Sequence, residues 1–323
     1  NIGIVYLDLG QLDEAAQSYK AALKLKPEFV EAHYNLGVVL QDLGQIEDAI
    51  ESYKDVIAID KGFFKAHNNL GVALLDLDQF DEAVKSYKAA LELKPDYVEA
   101  INNLGIAFFK LHQLDDAVKC YERALVLDPV SADAHNNIGA VHLERGQLDE
   151  AVNSYKTALE IKPDFFEANN NIGSAFNKLL QPQLAIEYYE KSIAIKPDYV
   201  NAHANLAIVL KDFKRFDEVM AIYQSDIILN SNLDFILGEV LHTKMMLCIW
   251  DDFQIHLNEL TIKINNNEKA VGPFALLALI DDPEIQRKTA EIYVNEHYPK
   301  NDILPEIGLY PKHSKIRIGY FSA

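Results

Sequence analysis

Cysteine and long apolar runs are both scarce in this sequence of 323 residues. The two cysteines, Cys120 and Cys248, have the spacing neither of a zinc site nor of a disulfide framework, which favours a reducing compartment. No apolar run reaches the roughly 18 residues that a membrane-spanning helix needs. The first residues also lack the basic and then apolar pattern of a secretory signal. We therefore expect a cytoplasmic protein.

Basic residues are the next deficit, because 30 lysines and arginines face 49 aspartates and glutamates, for a net charge of −19 at pH 7. A surface this acidic repels phosphate backbones and anionic lipid headgroups. The composition therefore argues against nucleic acid and membranes as partners. It is compatible with a soluble, elongated molecule whose field attracts basic or hydroxyl-rich polypeptides.

What the sequence does contain is a period of 34 residues, which four columns display without insertion or deletion. The small-residue column is Gly3, Gly37, Gly71, Gly105, Gly139, Gly173 and Ala207. The second small column is Ala15, Ala49, Ala83, Ala117, Ala151, Ala185 and Val219. The aromatic column is Tyr19, Tyr53, Tyr87, Tyr121, Tyr155, Tyr189 and Tyr223. The last column is Pro27, Lys61, Pro95, Pro129, Pro163, Pro197 and Ser231.

Each column has a physical reason that points to pairs of helices. Glycine within a helix costs roughly 1 kcal/mol relative to alanine, so its repetition implies close packing. The tyrosine is a large wedge with a polar end, and proline ends the second helix. In the second unit the apolar spacing predicts helices over residues 30–43 and 46–59, joined at Gly44 and Gln45. One pair cannot bury its apolar face alone, whereas stacked pairs share a continuous core.

These columns, together with the Asn-Leu-Gly and Pro-Asp-aromatic runs, resemble the tetratricopeptide repeat family over about two thirds of the chain. The resemblance implies an all-α, right-handed superhelical solenoid over residues 1–231, with about seven units, the first incomplete and the last degenerate. The family's usual tryptophan position is occupied here by His33, His67, Ile101, His135, Asn169 and His203. We interpret these histidines as packing residues, since a solenoid spreads them too far apart for a shared metal ion.

One asparagine recurs in every unit, directly before the conserved Leu or Ile of the first helix. The column is Asn1, Asn35, Asn69, Asn103, Asn137, Asn171 and Asn205. Asparagine is a mediocre helix former, and packing does not demand it. The family resemblance places the first helices on the concave surface, where an amide can pair with both the N–H and the C=O of an extended peptide. We predict a sequence-tolerant peptide-binding ladder. The alternative is a ladder that bonds only its own neighbours and stiffens the spiral.

Acidic residues flank this ladder on its helix face. Four residues before it stand Glu31, Glu99, Asp133 and Glu167, and seven residues after it stand Asp8, Asp42, Asp76, Glu144 and Asp212. They favour basic or hydroxyl-rich peptides, or else the earlier set complements the helix dipole. The residues just before the ladder include neither Lys nor Arg, which argues against the carboxylate clamp of chaperone-binding repeats.

From Leu233 onward the period stops. The pattern predicts helices over residues 233–250, 252–265 and 283–297, an apolar stretch over 272–280, a loop over 299–314 and a strand over 315–322. We expect a helical linker over residues 232–312. Residues 313–323 then form the first strand of a domain whose remainder is missing, and both ends of the sequence are expected to be truncated.

The runs Cys-Ile-Trp-Asp-Asp-Phe (248–253), Pro-Phe-Ala-Leu-Leu-Ala-Leu-Ile-Asp-Asp-Pro (273–283) and Lys-Ile-Arg-Ile-Gly-Tyr-Phe-Ser-Ala (315–323) resemble the region between repeats and GT-B catalytic domain in O-GlcNAc transferase-like proteins. That resemblance implies a parent enzyme that transfers GlcNAc from UDP-GlcNAc to Ser/Thr hydroxyls of polypeptides. This chain would present acceptors, contain no catalytic residue and bind no cofactor itself. The alternatives are a stand-alone adaptor and a protein that self-associates, as a homodimer for example.

Overall fold

The computed structural model describes residues 2–225 and 234–298 of the chain. They form two compact units, Asn1–Phe213 and Lys214–Ala323. All regular structure in the described ranges is helical, which confirms the predicted class. The predicted strand over residues 315–322, Asn1 of the ladder column and Ser231 of the proline column lie outside the described residues. The predicted boundaries at residues 231 and 312 also fall there and stay predictions.

The first compact unit is an array of helix pairs. The first helices of the pairs are α1 (Ile2–Asp8), α3 (Val30–Asp42), α5 (Phe64–Asp76), α7 (Val98–Lys110), α9 (Ala132–Glu144), α11 (Phe166–Lys178) and α13 (Val200–Asp212). The second helices are α2 (Leu12–Leu25), α4 (Ile46–Ile59), α6 (Phe80–Leu93), α8 (Leu114–Leu127), α10 (Leu148–Ile161) and α12 (Pro182–Ile195). The helices predicted for the second repeat, over residues 30–43 and 46–59, are thus confirmed to within one residue.

The turn inside each pair uses one residue in the left-handed region, two positions after the last residue of the first helix. Glycine supplies it at Gly10 (φ 71°), Gly44 (φ 72°) and Gly146 (φ 72°). Three other pairs force a side chain into this conformation, at Asp78 (φ 56°), His112 (φ 55°) and Leu180 (φ 58°). Since an L side chain meets the following carbonyl oxygen there, each of these turns is strained relative to its glycine counterparts.

The glycine column makes room for the tyrosine column of the same pair. A methyl group built on any glycine from Gly37 to Gly173 of the column would lie 2.5–2.6 Å from the tyrosine Cε1, below any real carbon–carbon contact. Tyr53, Tyr87 and Tyr155 are fully buried as a result. The glycine therefore serves the insertion of an aromatic ring from the second helix, beyond the close helix approach that the sequence suggested.

Helices adjacent in sequence pack on each other along the array, and each first helix from α3 to α11 also contacts the first helix of the next pair. The second helices do not approach one another to the same extent in the described array. Rows of helices that lie closer together form the inside of a curve. The first helices therefore line the concave side, as the resemblance implied.

The second compact unit begins within the degenerate seventh repeat, which contributes Val219 and Tyr223 of the columns, and its later residues carry no repeat. Its described helices are α14 (Phe216–Tyr223), α15 (Ile236–Met246), α16 (Phe253–Asn265), α17 (Pro273–Leu279) and α18 (Pro283–His297). The predicted helices over 252–265 and 283–297 are confirmed, and the helix predicted over 233–250 is shorter than expected. Leu241, Leu260, Ile264 and Leu276 form a small separate core. Gly238 of α15 packs directly against Val271.

Candidate polypeptide-binding groove

The predicted ladder asparagines all lie at the sixth position of a first helix, on the concave side of the array. They are Asn35 (α3), Asn69 (α5), Asn103 (α7), Asn137 (α9), Asn171 (α11) and Asn205 (α13). Each is partly exposed. The structure therefore brings them into one row, with side chains that both the neighbouring helices and a molecule in the groove can reach.

Each ladder asparagine from Asn69 onward donates a hydrogen bond to the preceding unit. The acceptor is always the residue that precedes the ladder asparagine there. The Nδ2 to oxygen distances are 3.1 Å for Asn69 to Tyr34 Oη, 3.2 Å for Asn103 to Asn68 Oδ1, 3.2 Å for Asn137 to Asn102 Oδ1, 3.0 Å for Asn171 to Asn136 Oδ1 and 2.9 Å for Asn205 to Asn170 Oδ1. One amide hydrogen per unit is thus committed to the array itself.

Four of the five acceptors form a second asparagine column, Asn68, Asn102, Asn136 and Asn170, which we call the partner column. Asn68 is fully buried and Asn170 is 5% exposed. The sequence showed the same 34-residue spacing at these positions, but their role was not predicted. Asn102 and Asn136 are partly exposed. The signal was available, since an asparagine that recurs within helices needs hydrogen-bond partners wherever it is buried.

Each ladder amide from Asn69 onward has hydrogen-bonding groups beyond the one N–H that donates to the preceding unit. A primary amide has two N–H donors and an oxygen with two lone pairs. After one donation, a second N–H and the oxygen are left. For Asn69 and Asn171, the oxygen also accepts from the neighbouring Asn68 and Asn170, at 3.3 and 3.4 Å. The ladder therefore bonds its neighbours, as the alternative interpretation held, and keeps groups for a ligand as well.

A carboxylate anchors the network at its N-terminal end. Glu99 Oε1 accepts from Asn68 Nδ2 at 2.9 Å, and Glu99 Oε2 accepts from the Tyr97 hydroxyl at 2.9 Å. Burial raises the pKa of Tyr34 above its ordinary value, although the hydrogen bond with Asn69 opposes the shift. The hydroxyl of Tyr34 therefore stays protonated while it accepts from the ladder.

The predicted flanking acids lie where the helix geometry put them. Glu31, Glu99 and Asp133 are exposed and Glu167 is partly exposed, all in the first turn of a first helix. The acids seven residues after the ladder are exposed at the far ends of these helices. Asp76 is held there by Gln41, whose Nε2 donates to Asp76 Oδ2 at 3.0 Å. These positions fit both interpretations of the acids, peptide selection and dipole compensation.

Other site chemistries find no support in the described residues. The Nε2 atoms of His33 and His203 donate to the carbonyl oxygens of Pro27 and Pro197 at 2.8 Å, which agrees with a structural role. No group of three or more His, Cys, Asp or Glu side chains is placed to hold a metal ion within residues 2–225 and 234–298. In the same ranges, no helix has the length and apolarity to cross a membrane.

Comparison with known proteins agrees with this geometry. A family model described as TPR repeat matches residues 3–44, 40–78 and 73–112. A second model, described as tetratricopeptide repeat, matches residues 102–165 and 141–200. The comparison with curated proteins gave no match.

Solved structures of repeat proteins share the fold. One is a tetratricopeptide repeat protein from Parabacteroides merdae, 18% identical, with a TM-score of 0.64 over 76% of this chain and 95% of that chain. Another is PilF from Pseudomonas aeruginosa, 19% identical, with a TM-score of 0.53 over 66% of this chain and 94% of that chain. A thermophilic repeat protein from Thermus thermophilus is 21% identical, with a TM-score of 0.51 over 56% of this chain and 98% of that chain.

Proposed function

Because residues 3–200 of this chain, more than half of its length, belong to the tetratricopeptide repeat family, we propose that the array mediates protein–protein interaction by binding extended polypeptides along its concave side. The observation that supports the proposal is the row of partly exposed ladder amides, which are bonded to the preceding unit in the same way from Asn69 to Asn205. Such a row matches the regular N–H and C=O groups of a peptide backbone.

The spacing of the ladder fits an extended chain. Packed helices lie roughly 8–10 Å apart, and an extended peptide advances about 3.3 Å per residue. One ladder amide then meets the peptide at about every third residue. Because the contacts go to backbone groups, binding tolerates many sequences, and the flanking acids add a preference for basic or hydroxyl-rich segments.

The test replaces Asn69, Asn103 and Asn137 by alanine together. At about 0.5–1.5 kcal/mol per hydrogen bond, we expect the affinity for an unstructured polypeptide to fall more than tenfold, as measured by fluorescence anisotropy. Circular dichroism should show an unchanged helix content. The control is Asn153→Ala, which removes an exposed amide from a second helix, α10. Equal affinities of the triple variant and the wild type would exclude the ladder as the contact surface.

The more specific role is presentation of acceptor polypeptides to a catalytic domain of the O-GlcNAc transferase type, which would use UDP-GlcNAc. Its support is the sequence resemblance of residues 248–253, 273–283 and 315–323. In a fusion of this chain to such a domain, the triple alanine variant should slow glycosylation of whole proteins and spare short peptides that fit the catalytic domain alone. If the fusion gives no gain over the catalytic domain alone, a stand-alone adaptor remains.

A further inference from the structure

Two members of the partner column differ from the ladder asparagines in what they can touch, whereas Asn102 and Asn136 are partly exposed as the ladder is. Asn68 and Asn170 are almost entirely buried, so a polypeptide in the groove does not reach their side chains. Their amides are nonetheless central to the network, because each oxygen accepts the ladder asparagine of the next unit. A buried group that contacts the binding residue and not the ligand acts on the orientation of that residue.

Orientation is a real variable for an asparagine amide. The last torsion of the side chain is broad and roughly two-fold, so a half turn exchanges the oxygen and the nitrogen. An acceptor on the preceding unit breaks this symmetry, since only the nitrogen can donate to it. The partner column therefore turns the ladder nitrogens from Asn103 to Asn205 toward the preceding unit and leaves the oxygen on the other side. Without the acceptor, the two ends of the Asn137 amide compete for the same place, whereas Asn171 keeps only the long bond that its oxygen accepts from Asn170 at 3.4 Å.

Two members of the partner column isolate this effect. Among the described residues, Asn102 and Asn136 only accept, from Asn137 and Asn171 respectively. Asn68 and Asn170 also donate, Asn68 to Glu99 and both to the adjacent ladder oxygen. Replacing Asn102 or Asn136 therefore removes an acceptor and nothing else from the network.

We propose that Asn102 and Asn136 are positioning residues of the polypeptide-binding ladder, which fix the amide orientation of Asn137 and Asn171 across the unit boundary. The proposal rests on the proposed function, because it assigns the partner column to the same groove. Asn102 and Asn136 are themselves partly exposed, and the role assigned to them is the hydrogen bond to the ladder asparagine and not a contact of their own with the polypeptide. The acceptor differs at the two ends of the column. At the N-terminal end the Tyr34 hydroxyl accepts from Asn69. At the C-terminal end the position is Ala204, which has no side-chain acceptor.

The experiment compares two double variants of the full chain. Asn102→Leu with Asn136→Leu keeps the approximate volume and removes both acceptors. Asn102→Asp with Asn136→Asp keeps an oxygen at the same place for the ladder nitrogen. The probe is a fluorescein-labelled, uncharged peptide of about 20 Ser, Thr, Val and Ala residues. Its affinity is measured by anisotropy at high salt, where added charge acts weakly.

We expect the leucine variant to bind about tenfold more weakly than the wild type and the aspartate variant to bind within about twofold of it. A second readout is the side-chain amide spectrum of Asn137 and Asn171 in ¹⁵N-labelled protein. Both signals should move in the leucine variant and stay in place in the aspartate variant. A purely structural asparagine would lower thermal stability without this selective pattern.

The outcomes separate the two proposals. If Asn137→Ala with Asn171→Ala weakens binding while the leucine variant binds like the wild type, the positioning role is wrong and the ladder stands. Equal losses in the leucine and aspartate variants would also overturn it. If the alanine ladder variant binds like the wild type, the proposed function itself is wrong. Should the double leucine variant fail to fold, the single variants Asn102→Leu and Asn102→Asp provide the same comparison.

Discussion

The two compact units solve the packing problem in different ways. The array repeats one contact, a glycine under a tyrosine ring, from Gly3 to Gly173. The second unit uses a contact once, where Gly238 packs against both the side chain and the Cα of Val271. A repeated contact appears in the sequence as a column, whereas a single contact leaves no pattern. A close glycine contact can therefore be predicted from the sequence in the array and not in the second compact unit.

The difference extends to how each contact can yield. In the array, the obstacle to a larger residue is the edge of an aromatic ring, which can shift within its helix pair. In the second unit, a methyl group on Gly238 would also lie 2.8 Å from the backbone of Val271. Backbone that is tied into a core cannot move as freely as a ring. The single contact should therefore be the less tolerant one.

The largest effect is expected for Gly238→Ala. Overpacking of a core costs about 1–3 kcal/mol and more where backbone must move, so we expect the second unit to lose at least about 3 kcal/mol. Hydrogen exchange of α15 and α17 amides, followed by mass spectrometry, measures the loss. The control is Gly272→Ala, where the added methyl group meets no atom within 4 Å. Similar exchange in the two variants would refute the assigned contact.

Gly105→Ala tests the corresponding contact in the array. We expect a loss of about 1–3 kcal/mol from overpacking against Tyr121, reduced by the roughly 1 kcal/mol that alanine gains over glycine in a helix. Denaturant unfolding measures it. Adding Tyr121→Leu vacates the ring position, so the alanine should cost less in that background than in the wild type. A loss unchanged by the second replacement would mean that Tyr121 is not the obstacle.

Substitutions in the turns of the array should change its stability by a smaller amount, in opposite directions at two equivalent positions. Leu180 is 87% exposed and has a φ of 58°, while Gly146 has a φ of 72° at the equivalent turn. We expect Leu180→Gly to stabilise the array and Gly146→Leu to destabilise it, each by about 1 kcal/mol. Thermal unfolding of the two variants checks both signs. Shifts of the same sign would rule out backbone strain as the cause.

The two compact units also differ in the reactivity of their cysteines, Cys120 in the array and Cys248 in the second unit. Cys120 occupies the column of Ser18, Ser52, Ser86 and Ser154. It is partly buried, and burial raises the pKa of its thiol to about 11. Since the thiolate is the reactive form, iodoacetamide at pH 8 should modify the exposed Cys248 and leave Cys120 intact. Mass spectrometry of the native protein measures the ratio. Rapid modification of Cys120 would contradict its burial.

The sequence was sufficient for the features that repetition amplifies. Three features follow from the 34-residue period. They are the helix bounds of the second repeat (residues 30–59), the burial of the tyrosine column and the single row of ladder asparagines. The ladder's role in polypeptide binding stays a prediction. The partner column was visible as a pattern, yet its meaning needs the geometry between units, because residues 35 apart meet there. Gly238 and Val271 meet through a tertiary contact that no local spacing encodes.

The hydrogen bonds between successive first helices also make the ladder sensitive to the spacing of those helices. They span 2.9–3.2 Å, and such bonds are lost once the two atoms separate beyond about 3.5 Å. A change of a few tenths of an ångström in the spacing of first helices is therefore enough to release the ladder amides. Under the proposed function, pulling the array along its axis should weaken polypeptide binding before any helix unfolds. Compression of the coil should restore that binding.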